Sequence, residues 1–149
     1  RGLGDVYKRQ ENPPHHREDH IIEKIMLDHV TIKVCDLEKS RLFYDQALAP
    51  LNIMRVSDGE ANFSGYGSEE KAYFWIGGKN PKPITGMHIA FVAKNRAAVD
   101  AFYAAALAGG GRDNGAPGLR PHYHDDYYGA FVLDPDGHNI EAVCHRPIE

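Results

Sequence analysis

Apolar and polar residues alternate through several short segments of this 149-residue chain, and two longer segments have helical periodicity. Residues 30–34 alternate in this way, which predicts a strand with one apolar face, and His29 points away from that face. Asp36 is a favourable helix N-cap, and residues 37–51 place Phe43, Ala47 and Leu51 on one side of a helix. Three further strands are predicted at 53–56, 61–66 and 71–76.

The second half of the chain repeats this order of elements. We predict a strand at 87–93, a helix at 96–107, and two final strands at 127–133 and 139–144. The turn between these last two strands reads Asp-Pro-Asp-Gly, which is typical of a type I turn closing a hairpin. A middle strand is predicted near 111–114 or not at all, because prolines follow at 117 and 121.

The two halves also align with each other as an internal repeat. Residues 29–49 align without a gap on residues 88–108, and the two predicted N-caps, Asp36 and Asn95, fall at the same place. A duplicated strand, cap and helix is therefore predicted. The identical pairs are His29/His88, Phe43/Phe102, Tyr44/Tyr103, Ala47/Ala106, Leu48/Leu107 and Ala49/Ala108.

Composition excludes several classes of protein. Hydrophobic residues make up 42% of the chain, which is enough for a buried core, and the formal charge of -4 lacks the basic excess of nucleic-acid or anionic-membrane binders. The apolar runs are too short to span a bilayer. Cys35 and Cys144 lie in apolar segments, so we expect buried thiols and a cytoplasmic location.

Residues 1–25 differ in character from the rest of the chain. They are polar, interrupted by Pro13 and Pro14, and contain the stretch DVYKRQ, which resembles a translated transposase end sequence. We expect them to be a non-native or disordered leader, and residues 26–149 to form a single domain.

The duplicated strand–helix–three-strand module, with a histidine opening each copy and DPDGHNIE closing the second, resembles the vicinal oxygen chelate superfamily. That group includes glyoxalase I, the bleomycin- and fosfomycin-resistance proteins and the extradiol dioxygenases. The segments LDHV, GMHIAF and DPDGHNIEAV carry the resemblance. It implies an α+β fold of two tandem βαβββ modules, at about 27–79 and 86–146, whose curled mixed sheets form a central cavity.

By position, the resemblance implies metal ligands at His29, His88 and Glu141. The pattern of residues agrees for Glu141, which alternates with Ile140 and Ala142 and so faces the other side of its strand. A divalent cation held by two imidazoles would favour the ionised form of a carboxylate placed there. Such a triad leaves coordination positions for a chelating substrate, and iron, manganese, zinc and nickel are all candidate metals.

One departure from glyoxalase I matters for the reaction. Glyoxalase I has a fourth ligand, Glu or Gln, in the last strand of its first module, where this chain reads AYFWI over 72–76. Glu69 and Glu70 precede that strand and are expected to be solvated turn residues. The absence argues against glutathione-hemithioacetal isomerisation, and three ligands match the dioxygenases and fosfomycin-resistance enzymes instead.

The segment 120–128 places two histidines and three tyrosines just before the seventh strand, after a glycine-rich stretch that favours a mobile flap. Such side chains supply hydrogen bonds or general acid–base catalysis beside a metal-bound oxygen. The alternative is that they are edge packing and exposed loop residues, as we expect for His138 and His145. The candidate catalytic residues are His122, His124, Tyr127 and Tyr128.

Two classes of function remain open. The first is a metal-dependent enzyme with lyase, isomerase or ring-cleaving dioxygenase chemistry on a small oxygenated substrate. The alternative is a metal-free ligand trap of the bleomycin-resistance type, whose pocket would use aromatic side chains. Both classes resemble homodimers, which is therefore our expectation. The candidate pocket aromatics, for which core packing is the alternative, are Phe63, Tyr66, Tyr73, Phe74 and Trp75.

Overall fold

The structure is a computed structural model that describes residues 28–59, 62–69, 71–78, 82 and 85–147. The predicted leader at 1–25 lies outside the described residues. The first half of the chain forms β1 (Val30–Lys33), α1 (Leu37–Leu48), a 3-10 turn (Ala49–Leu51), β2 (Met54–Gly59), β3 (Phe63–Ser68) and β4 (Lys71–Gly77). The second half forms β5 (His88–Val92), α2 (Arg96–Ala108), β6 (Arg112–Leu119), β7 (Tyr128–Leu133) and β8 (Asn139–Cys144).

The strands form two four-stranded sheets with the same internal order. The first sheet has the order β1-β4-β3-β2 and the second the order β5-β8-β7-β6. In each sheet the first and last strands of the module pair in parallel, and the other neighbours pair antiparallel. The prediction of an α+β fold with two βαβββ modules is confirmed, and the two sheets remain separate rather than closing into a barrel.

Side-chain caps fix the start of both helices. The carboxylate of Asp36 accepts from the backbone N–H of Lys39 at 3.1 Å, and the side-chain oxygen of Asn95 accepts from that of Ala98 at 2.9 Å. α1 ends at Leu48, three residues before the predicted end, because Pro50 lies in the 3-10 turn and cannot donate a helical hydrogen bond.

A single apolar core joins the helices to one face of each sheet. Phe43 and Tyr44 of α1 and Phe102 of α2 are fully buried there. The ring of Phe74 in the first sheet meets that of Phe91 in the second at 5.3 Å, so the two modules share this core. We call the opposite side of each sheet, which carries residues such as His29 and His88, its outer face.

Three local predictions are wrong or incomplete. Cys35 is exposed, because β1 ends at Lys33 and the cysteine lies in the turn before α1. His138 is buried, because its ring folds beneath the final turn and its Nδ1 accepts from the backbone N–H of Met87 at 3.2 Å. β6 extends through Pro117, since breaks in its register with β7 leave that stretch outside the regular ladder.

The predicted type I turn is present, with the N–H of Gly137 donating to the carbonyl of Asp134 at 3.0 Å. Among the described residues, no helix is long and apolar enough to cross a membrane.

Candidate functional site

Glu141 is a buried carboxylate on the outer face of the second sheet. It lies in the central strand β8, opposite Ala90 of β5 and Phe131 of β7, and is only 1% exposed. Two side chains contact its oxygens: the Tyr127 hydroxyl donates to Oε1 at 2.5 Å, and Nε2 of His88 lies 3.0 Å from Oε2. These polar contacts offset part of the cost of burying the carboxyl group.

His88 is oriented by a chain of side-chain amides. Its Nδ1 lies 2.6 Å from the Nδ2 of Asn139, whose Oδ1 accepts from Asn114 at 3.0 Å. The His88 ring thus has its Nδ1 against the Asn139 amide and its Nε2 against Glu141. The imidazole nitrogen and the carboxylate oxygen therefore converge on one point of the outer face.

Tyr127 holds the other carboxylate oxygen. Burial, and then the hydrogen bond to Glu141, raise the pKa of the Tyr127 hydroxyl well above its usual range. The hydroxyl therefore stays protonated at neutral pH and donates its hydrogen to Oε1. The second oxygen of Glu141 faces His88.

His29 lies at the start of β1, on the outer face of the first sheet. Its side chain is 55% exposed and its Nδ1 bonds to Asp28, which also pairs with Lys71 at 2.7 Å. Across the described ranges, no three His, Cys, Asp or Glu side chains lie close enough together to hold a metal ion. The structure thus brings together two of the three predicted ligands, His88 and Glu141.

The four predicted catalytic residues lie in different places, and only Tyr127 contacts Glu141. His122 is exposed and its ring packs at 4.2 Å on Tyr123. Tyr128 begins β7 on the opposite side and donates to Asp100 of α2 at 2.7 Å. Because neighbouring residues of a strand point to opposite faces, at most one tyrosine of the pair reaches Glu141.

His124 pairs with His145 beside Tyr127. The His124 Nε2 lies 2.6 Å from the His145 Nδ1, and the His124 Nδ1 accepts from the N–H of Asp126 at 3.2 Å. Both histidine rings also contact the Tyr127 ring, at 5.4 and 5.1 Å between centroids. The pair thus packs against the side chain that holds Glu141.

Sequence reasoning missed three residues near this site: Asn139, Phe131 and Arg120. Asn139 lies two residues before Glu141 and Phe131 lies opposite it, so strand spacing and register identify both as outer-face residues. The Phe131 ring stacks on His88 with 6.2 Å between centroids, and the Arg120 guanidinium lies 5.5 Å from the Phe131 ring.

The aromatic residues proposed for a pocket divide between the two sides of the first sheet. Tyr66 and Phe74 are core residues, whereas Trp75 is half-buried on the outer face and Tyr73 is exposed. A cleft of about 290 Å³ lined by Asp45, Met54 and Arg55 belongs to the first module and does not include Glu141.

The sequence of the chain matches a known family. The model of the Glyoxalase/Bleomycin resistance protein/Dioxygenase superfamily matches residues 26–142. The chain therefore belongs to this superfamily, as the sequence motifs predicted. No curated protein sequence matches the chain.

Solved structures agree with this assignment. A glyoxalase/bleomycin resistance protein from Albidiferax ferrireducens T118 is 36% identical, with a TM-score of 0.68, and the match covers 82% of this chain and 99% of that one. A glyoxalase/bleomycin resistance protein/dioxygenase family enzyme from Burkholderia phytofirmans PsJN is 20% identical over 78% and 95% of the two chains, with a TM-score of 0.59. Lactoylglutathione lyase from Agrobacterium tumefaciens is 16% identical over 78% and 91%, with a TM-score of 0.56. The last two likenesses concern the fold alone.

Proposed function

We propose that this protein is a metal-dependent enzyme that binds a small substrate through two neighbouring oxygens. The metal would be one divalent cation held by His88 and Glu141, with His29 supplied by a second copy of the chain. The observation that carries the proposal is the approach of His88 Nε2 to within 3.0 Å of the buried Oε2 of Glu141. An imidazole nitrogen and a carboxylate oxygen that converge in this way suit a divalent metal.

The surrounding side chains support the same assignment. Tyr127 occupies Oε1 of Glu141, so Oε2 is the oxygen directed toward His88. Asn139 contacts Nδ1 of the His88 ring at 2.6 Å. A metal on Nε2 would place the ring proton on Nδ1, and the Asn139 amide would turn so that its oxygen accepts that proton, as the partners of ligating histidines usually do. A bound cation would act as a Lewis acid toward the substrate oxygens.

A homodimer would supply the missing ligand. The outer faces that carry His29 and His88 also expose apolar side chains, with Tyr73 at 37% and Val92 at 75% exposure. Thr31 pairs with Trp75 in the first sheet, so His29 and Tyr73 share that outer face. Pairing the first sheet of one copy with the second sheet of another would bury these residues and place a His29 beside each Glu141.

The reaction class is proposed as lyase, isomerase or ring-cleaving dioxygenase chemistry. β4 offers no carboxylate or amide side chain, which argues against the glutathione-hemithioacetal reaction. Tyr127 is a protonated hydroxyl beside the cation site, and His124 packs on its ring. These two side chains are the proposed positioning and proton-donating groups, and the protein is proposed to act in the cytoplasm.

Metal content in mixed variants tests this proposal. His88→Ala and His29→Ala should each lose the metal found in the wild-type protein, measured per subunit by elemental analysis after reconstitution. His122→Ala, which changes an exposed histidine outside the site, should keep it. Unfolding and refolding the two defective variants together should restore part of the metal. A dimer with one copy of each variant keeps one site in which His88, Glu141 and the partner's His29 are all present.

Two results would contradict the proposal. If wild-type protein takes up no divalent metal at all, the enzyme assignment fails. If the mixture of variants stays metal-free while the wild type is loaded, the shared site is wrong.

The alternative is a metal-free ligand-binding protein. It is favoured by one observation: each oxygen of Glu141 already has a polar partner in the protein, Tyr127 or His88. In that case His88→Ala would change ligand affinity without any change in metal content.

A further inference from the structure

The hairpin that carries Tyr127 also brings a cation to the outer face. Arg120 follows β6, and its backbone N–H donates to the carbonyl of Tyr127 at 2.8 Å, closing the loop between β6 and β7. Arg120 and Tyr127 therefore stand opposite each other at the base of this loop. Since Tyr127 reaches Glu141, the base of this loop lies beside the proposed metal site.

The guanidinium group is held in a fixed position. Its Nη2 donates to the carbonyl of Ala116 at 2.8 Å and its Nη1 to that of Leu119 at 3.2 Å. Its Cζ lies 5.5 Å from the centre of the Phe131 ring, which in turn stacks on His88. Two carbonyls and an aromatic ring thus set the direction of the side chain.

Two glycines of β6 leave room for this side chain. A Cβ placed on Gly118 would lie 2.9 Å from Nη1, and one on Gly115 would lie 3.0 Å from the Phe131 ring and 3.6 Å from Nη2. Any other residue at 118 would displace the guanidinium. The strand surface is therefore shaped to accept Arg120 and Phe131 lying across it.

The charge of Arg120 has no carboxylate partner among the residues that the structure describes. Within the described part of the chain, no Asp or Glu forms an ion pair with it, whereas Arg41, Arg55 and Arg96 each have one within 4.0 Å. Backbone carbonyls orient a guanidinium without cancelling its charge. A fixed and half-buried cation beside a binding site is suited to an anionic ligand group.

We infer that Arg120 binds a carboxylate group of the substrate, next to the oxygens that chelate the metal. This inference rests on the proposed function and adds a substrate class: vicinal-oxygen compounds that carry a carboxylate, such as dihydroxybenzoates. A single guanidinium matches a monoanion, while the nearby Glu141 carboxylate disfavours a group with two negative charges. Arg120 would thus select substrates that carry this carboxylate over those that lack it.

A pair of matched probes tests the inference. 3,4-Dihydroxybenzoate and catechol share the same vicinal hydroxyls and differ only in the carboxylate. Titration calorimetry with the full chain, with and without Mn²⁺, should give dihydroxybenzoate an affinity about 10-fold or more higher than catechol, as expected for a charge-assisted hydrogen bond. Arg120→Gln should remove this preference and leave the affinity for catechol unchanged.

Three further variants separate recognition from a purely structural role. Arg120→Lys keeps the positive charge but lacks the planar pair of N–H donors of a guanidinium, so it should keep part of the preference for dihydroxybenzoate. Gly118→Ala keeps the arginine but displaces its Nη1, so it should also reduce the preference. Arg112→Gln, at the other end of β6, should have no effect.

Failure of the role inferred for Arg120 and failure of the proposed metal site would give different binding results. Wild-type protein that binds the two probes equally, or binds neither, overturns the role of Arg120 whatever its metal content. A loss of affinity for both probes in Arg120→Gln overturns it as well, since that result indicates a structural role. Protein that takes up no Mn²⁺ but still prefers dihydroxybenzoate through Arg120 contradicts only the metal proposal.

Discussion

At the scale of single residues, the second sheet places one carboxylate where an apolar side chain would be expected. Glu141 lies in the central strand between the buried residues Ile140 and Ala142, and its two oxygens contact Tyr127 and His88. The hydrogen bond from Tyr127 therefore contributes to the stability of the fold.

Replacing Tyr127 by Phe should therefore destabilise the protein by about 1.5 to 3 kcal/mol, the range expected for a hydrogen bond to a charged group. The phenyl ring retains the packing and removes only the donor to Oε1. Urea unfolding followed by circular dichroism measures the change in the free energy of unfolding. Tyr123→Phe, at a tyrosine that is 60% exposed, is the matched control and should be neutral. Equal effects of the two changes would show that the bond to Glu141 contributes nothing.

Asn139 should control the affinity of His88 for a metal. Asn139→Ala removes the partner of Nδ1 and should weaken metal binding about 10-fold or more, as loss of such a partner does in other metal sites. Asn139→Asp supplies a carboxylate that accepts a ring proton on Nδ1, so this variant should bind metal at least as tightly as the wild type. Competition with a chromophoric chelator measures these affinities. If Asn139→Ala bound metal like the wild type, His88 would not be a ligand through Nε2.

Among the strands and helices, those that begin at a turn motif or an N-cap residue were predicted well. β8 has the predicted bounds because a type I turn precedes it, and both helices begin where their N-caps indicate. β6 was predicted too short, since Pro117 is a strong breaker unless the ladder is irregular around it. The α+β class and the module order followed from the repeat.

The candidate site was less predictable, for a physical reason. Strand alternation identifies Glu141 as an outer-face residue, but the choice between Tyr127 and Tyr128 depends on where β7 leaves the preceding loop. Arg120 becomes notable only once the loop closes on Tyr127 and the guanidinium lies on Phe131. The separation of His29 from His88 is a property of how the modules pack, which no local pattern encodes.

β7 passes close to Glu141, and this closeness can be tested. A Cβ on Gly129 would lie 3.0 Å from Oε1 of Glu141 and 3.2 Å from the Tyr127 ring. Gly129→Ala should therefore displace the hydrogen bond between them and cost about 1 to 3 kcal/mol of stability. In a Tyr127→Phe background the same change should cost less, because the bond is already absent. Additive costs in this double-mutant cycle, measured by urea unfolding, would contradict the interpretation.

At the scale of the whole molecule, a buried hydrogen bond joins the two modules. The Tyr44 hydroxyl in α1 donates at 2.6 Å to Asp134 in the turn after β7, and both side chains are buried. Burial raises the pKa of Asp134 above its ordinary value, against the opposing effect of its hydrogen bonds. The folded protein therefore binds this proton more tightly than the unfolded chain does.

The raised pKa of Asp134 makes the free energy of unfolding depend on pH. The stability contributed by Asp134 is fully present below its unfolded pKa of 3.8 and is lost as pH rises through the raised folded value. The free energy of unfolding of the wild type, minus that of Asp134→Asn, should fall as pH rises from about 4 to about 7. A constant difference for Asp134→Asn would contradict the raised value.

The proposed dimer predicts a role for Val92, which lies on the same outer face as His88 and is 75% exposed. Val92→Asp should shift the protein to monomers in sedimentation velocity and lower its metal content, while the folded monomer keeps its circular dichroism spectrum. Leu42→Asp, at an exposed residue of α1, should leave both unchanged. A dimer that survives Val92→Asp with full metal would place the interface elsewhere.

The two modules carry different residues at one pair of equivalent outer-face positions. In the second sheet the residue opposite Ala90 is Glu141, and in the first the residue opposite Thr31, which aligns with Ala90, is Trp75. The duplicated fold thus carries an indole in one copy where the other carries the carboxylate. Trp75 is the single tryptophan of the chain. Its fluorescence reports on the outer face of the first sheet alone, so emission spectra can follow dimer assembly and ligand binding without any added label.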